Sequence, residues 1–141
     1  MSAHKIIIFQ KITLTILAAV VLTLGVISII NPAEFIRPFG VQLEGMAGTN
    51  EIRAQYGGFL IMLGFYISRG IFIATIRKNT LLLGVFFMGG INFGRLTDWI
   101  INQESIVNQL SELHQFFMFV LDPAGFLFAL IAYSLHYKKK Q

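Results

Sequence analysis

The chain has 141 residues, 55% of them hydrophobic and 13% charged, with a mean hydropathy of +0.70. That balance reads as one integral membrane domain spanning residues 1–141 and sets aside secretion, soluble metabolism and nucleic-acid binding. The formal net charge is +4, and the absence of cysteine excludes disulfides, thiolate metal sites and cysteine nucleophiles.

Four segments have the length and apolarity to span. Residues 12–30 carry no charge, and 19 residues at about 1.5 Å each match a hydrocarbon core about 30 Å thick. This run is too long for the apolar part of a signal peptide and has no small-x-small cleavage site before Asn31, so it reads as a retained anchor. The second segment, 50–76, starts at Asn50 as N-cap and ends at the polar turn Arg77-Lys78-Asn79. The third covers 80–101. The fourth covers 116–137, after an amphipathic stretch over 104–115, and stops at Lys138-Lys139-Lys140. The expected fold is therefore an all-α bundle of four transmembrane helices.

Between the first two segments, Asn31 can cap a short helix, Pro32 suits its first position and Glu34 stands three residues after the cap. A single interfacial turn through Arg37 is expected before Pro38 stops it, with Phe35, Ile36 and Phe39 on the membrane surface. Orientation follows from the basic residues. Lys5, Lys11, Arg77, Lys78, Lys138, Lys139 and Lys140 fall on the side of the N terminus, against Arg37, Arg53 and Arg95 on the other, with Arg69 in the inner half of the second helix. Both termini are thus expected in the cytoplasm.

The polar residues near the outer ends of the second and third segments form the candidate site. Arg53 lies roughly 5 Å inside the second helix and Arg95 roughly 10 Å from the end of the third, in the same leaflet. Asp122 lies roughly 9 Å deep if the fourth segment is one helix kinked at Pro123. A helix beginning at Asp122-Pro123 would keep only about 15 residues, short for a span. Arg95 then has two possible anionic partners, Asp98 at i+3 and Asp122 on the fourth helix, while Glu51 and Arg53 face the same layer. Gln55, Tyr56, Asn92, Thr97 and His114 stand near enough to extend a hydrogen-bonded network. Such a layer is either a clamp that fixes helix register or a pocket for an anionic or carbonyl-bearing head group.

Small residues repeat at helical spacing: Gly90-x-x-x-Gly94, Ala54-x-x-x-Gly58, Gly57 with Gly64, and Ala18 with Gly25. They predict close helix packing within the chain, or a seam with another copy or subunit. Fourteen phenylalanines suit lipid-facing or core positions, or a groove for a quinone, carotenoid or acyl chain. No phosphate-binding glycine loop, G-x-S-x-G elbow or H-E-x-x-H helix is present. His114 and His136, about 33 Å apart on one helix, cannot share a metal or haem, and His4 lies near the N terminus. No metal and no cofactor is predicted, with a bound lipid, quinone or pigment as the open case. An enzyme is disfavoured.

The string Asn50-Glu51-Ile52-Arg53-Ala54-Gln55-Tyr56-Gly57-Gly58, with Gly94-Arg95-Leu96 and Asp98 farther on, resembles a bacterial family of short four-helix membrane proteins known as a domain of unknown function. The form of that family is E-[IL]-R-A-x-Y-G-G in the second helix and G-R-L with a following D-G in the third. Here Trp99 follows Asp98 in place of glycine, and Asp122 stands where an acidic residue usually lies nearer the start of the fourth helix. The resemblance covers residues 14–133 and implies a bacterial inner-membrane address, but no reaction. Three roles fit: an accessory or structural subunit of a larger membrane complex; a lipid-, quinone- or pigment-binding protein; and a pore or transporter built from several copies. The expected partners are the bilayer and other membrane subunits or further copies of the chain.

Overall fold

The computed structural model describes residues 2–102 and 115–138, and no strand occurs among them. Helix α1 runs Ala3–Ile30, capped by the Ser2 hydroxyl, which accepts from the Lys5 amide. Its charge-free part coincides with the first expected span, but the helix begins nine residues earlier because nothing between Ala3 and Ile12 breaks it. Asn31 then caps α2 (Pro32–Ile36) by accepting from the Glu34 amide, with Pro32 in the first turn. Pro38 does not end the turn. It sits inside a 3-10 turn, Arg37–Phe39, that closes on Gly40 at φ 71°.

The second helical run departs from expectation at both ends. It starts at Gly45, whose φ of 70° suits glycine, and comprises α3 (Gly45–Glu51), a π-helical turn (Ile52–Gly58) and α4 (Phe59–Phe72). Asn50 is therefore an interior residue and not the N-cap. The run stops at Phe72, because Ile73 adopts an extended conformation and Ala74–Ile76 form the turn. Arg77-Lys78-Asn79, expected as a loop, is the first turn of α5 (Arg77–Asn102). In the fourth segment, a π turn (Phe117–Leu121) leads into α6 (Asp122–Lys138), so Asp122-Pro123 lies within one continuous helical run. Pro123 has no amide hydrogen to donate and crowds the carbonyl four residues back, which favours a locally wider turn there.

Helix α1 packs against α4, α5 and α6, and the sequence-adjacent pairs α4–α5 and α5–α6 complete the bundle. Its centre is Leu14, Leu17, Ala18, Val21, Ile67, Leu81, Ala129 and Ala132, all buried. Glycine permits the close approaches. A Cβ at Gly57 or Gly64 would fall 2.6 Å from Ile29 or Leu22 of α1, and one at Gly25 would fall 2.9 Å from Ile61. In a membrane such packing, more than exclusion from water, holds helices together. One polar tie crosses the seam between α1 and α6: buried Gln10 donates to the Ala132 carbonyl at 3.0 Å. Among the described residues, three helical stretches, Ala3–Ile30, Arg77–Ile101 and Met118–His136, are long and apolar enough to cross a membrane.

Candidate functional site

Arg95 leaves α5 toward α6 and meets Asp122, Nη2 to Oδ2 at 2.5 Å, with side chains 28% and 14% exposed. One turn before Arg95, the Asn92 amide donates to the Met88 carbonyl at 2.8 Å and to the Asp122 carbonyl at 3.0 Å. Asn92 and Arg95, at i and i+3 on α5, therefore hold both the main chain and the carboxylate of one residue on α6. Arg95 Nε is buried and has no acceptor among the described residues. Of the two anions that the sequence offers Arg95, Asp122 is in ion-pair contact with it.

The rest of the expected layer is divided. Glu51 accepts from Gln55 one turn along the same helical run at 2.7 Å. Arg53 turns to the end of α1, where its Nε donates to the Ile29 carbonyl at 3.0 Å. The last carbonyls of a helix lack internal donors and carry its negative dipole end, so a cation is well placed there. Tyr56 is exposed and its ring lies 5.4 Å from Phe35 of α2, so the connecting segment packs against the π turn. Thr97 donates back to the Phe93 carbonyl within α5. Asp98 is partly buried on the helix that carries Arg95. His114 lies outside the described residues, as does most of the amphipathic stretch.

A family model described as a domain of unknown function, DUF4345, matches residues 9–107. The chain belongs to this family. No curated protein and no solved structure is matched by the chain. The DUF4345 match takes in α1 from Phe9, α3 with Glu51, the π turn with Arg53, Gln55 and Tyr56, and α5 with Asn92, Arg95 and Asp98. It ends before Asp122, so the ion pair joins a residue inside the matched region to one beyond it.

The glycines of this DUF4345 chain fall into two groups. Gly57 and Gly64 face α1, as their spacing suggests, whereas a Cβ on Gly58 would meet only the Arg53 carbonyl of its own run, at 3.7 Å. Gly90 and Gly94 correct the expectation of packing within the chain. Both are exposed, and a Cβ on either has nothing within 4 Å among the described residues. They share that face of α5 with Phe86 and Phe93, 70% and 71% exposed.

The residue that sequence reasoning missed is Arg77. It is buried, 7% exposed, and its guanidinium folds back on the end of α4, with Nε donating to the Gly70 carbonyl at 3.0 Å and Nη2 to the Ile71 carbonyl at 3.2 Å. Thr80, fully buried, donates to the Arg77 carbonyl and fills the space that Gly70 leaves open. A basic residue beside an apolar segment reads equally well as an orientation signal. Among the described residues no group of three or more histidine, aspartate or glutamate side chains is arranged to hold a metal ion.

Proposed function

We propose that this DUF4345 chain is a four-span integral membrane protein, with both termini in the cytoplasm of a bacterium, that serves as an accessory or structural subunit of a larger membrane complex. The second of these spans in chain order is the run from Gly45 to Phe72, whose π turn interrupts the α-helix without breaking the rod. The observation that carries the role is the open face of α5 around Gly90 and Gly94. Elsewhere in the bundle this chain uses glycine where another helix presses against it, at Gly25, Gly57 and Gly64. A transmembrane helix of another subunit, seated between Phe86 and Phe93, extends the same rule.

In this reading the Arg95–Asp122 pair and Asn92 form the clamp that keeps α5 in register with α6 and so presents that face. The test is extraction of the tagged chain from native membranes in mild detergent, with and without Gly90→Leu and Gly94→Leu. A stoichiometric partner lost on either substitution, with helical content unchanged, supports the role. A monodisperse lone chain in all three preparations contradicts it. Binding of a lipid, quinone or pigment is the second reading, supported by a buried Arg95 Nε that has no acceptor among the described residues. Mass spectrometry of the purified chain, with Asn92→Ala as comparison, tests it.

A further inference from the structure

Three arginines stand at the end of the bundle where α1 gives way to α2. Arg37 is paired with Glu34 at 2.9 Å and Arg95 with Asp122 at 2.5 Å. Arg53 is the one without a carboxylate in ion-pair range among the described residues, since neighbouring Glu51 is engaged by Gln55. Its Nε is fixed on the Ile29 carbonyl, which anchors the guanidinium and leaves both Nη groups without an acceptor among the described residues. The same side chain, itself exposed, lines a shallow cleft open to the surface with Gly45, Met46, Thr49 and Asn50. Thr49 directs its hydroxyl back to the Gly45 carbonyl, whereas the Asn50 amide is exposed and makes no hydrogen bond among the described residues.

From this arrangement we infer that the cleft is a phosphate site. The two free Nη groups of Arg53 match a pair of phosphate oxygens in the bidentate manner of a guanidinium, and the Asn50 amide supplies a neutral second donor. Anchoring through Nε lowers the entropy lost on binding, because the fork is already placed. The phosphate is carried by a lipid head group or is free in solution; both present the same oxygens. The site is separate from the Arg95–Asp122 pair and from the open face of α5, so it stands or falls independently of the subunit role.

The test uses the full chain in a neutral detergent, titrated with short-chain phosphatidylglycerol in one arm and with inorganic phosphate in the other. Bound equivalents are read by native mass spectrometry and thermal shift. The variants are Arg53→Gln and Asn50→Asp; the second keeps the bond to Ile29 and places a carboxylate in the cleft. Saturable binding of one equivalent in either arm, weakened by about tenfold or more in both variants, is the expected result. Saturation by inorganic phosphate assigns free phosphate as sufficient; saturation by the lipid alone assigns a head group. Should Arg53→Gln fail to fold, Asn50→Asp decides. Wild-type affinity in a folded Asn50→Asp variant, or no saturable binding in either arm, overturns the site.

Discussion

Arg95 and Asp122 are each half of an interaction that neither sustains alone in an apolar medium. Removing one member leaves the other charge shielded from water and unpaired, so Arg95→Leu or Asp122→Leu is expected to cost about 3 to 5 kcal/mol in reversible unfolding in detergent. The exchange Arg95→Asp with Asp122→Arg restores most of that loss if the two side chains meet directly, and a swap as unstable as the singles contradicts the pairing. Arg77 makes a comparable case at the other end of the bundle. Arg77→Met, which removes two hydrogen bonds to carbonyls but keeps an apolar stem, is expected to cost about 2 to 3 kcal/mol. The partnership of Arg95 with an acid at similar depth was legible from sequence, because opposite charges in apolar segments have few places to go. The work of Arg77 was not, since it depends on α4 ending at Phe72, a boundary that no proline or glycine marks.

At the scale of elements, the four apolar stretches declared the helices, while their ends were set by contacts that composition does not record. Asn50 has the chemistry of a cap, yet the chain turns earlier, at Gly45, and runs helically through it. The π turn at Ile52–Gly58 has no single residue that announces it, whereas the one before Asp122 is foreshadowed by Pro123. Glycine spacing was equally ambiguous, since it identified small residues without saying which faced a neighbour. The difference is measurable. Gly64→Ala drives a methyl into Leu22 and is expected to destabilise the isolated chain by about 1 to 3 kcal/mol. Gly94→Ala meets nothing within 4 Å among the described residues and is expected to be neutral or to stabilise the isolated chain by up to about 1 kcal/mol. Thermal unfolding of the two variants in the same detergent checks the contrast, and equal losses contradict it.

For the whole molecule, the described residues form a bundle with its core inside and exposed hydrophobic side chains on its helices, among them the face of α5 around Gly90 and Gly94. Its core is filled by α1 at the centre of three neighbours, and its polar side chains mostly bond within the chain: Gln10 to Ala132, Asn92 and Arg95 to Asp122, Arg53 and Arg77 to helix ends. Gln10→Leu removes the tie between α1 and α6 and is expected to cost only about 0.6 to 2 kcal/mol, the usual worth of one such bond between membrane helices. The bundle thus has redundancy within itself, while the Gly90 and Gly94 face has no counterpart in its own described residues. The most direct test of the subunit role uses the absence of native cysteine. A photoreactive probe is attached in native membranes to Gly94→Cys and, for comparison, to Phe65→Cys on the exposed side of α4. A single protein adduct of fixed mass from position 94 and lipid adducts alone from position 65 are predicted; lipid adducts alone from both positions would contradict the account.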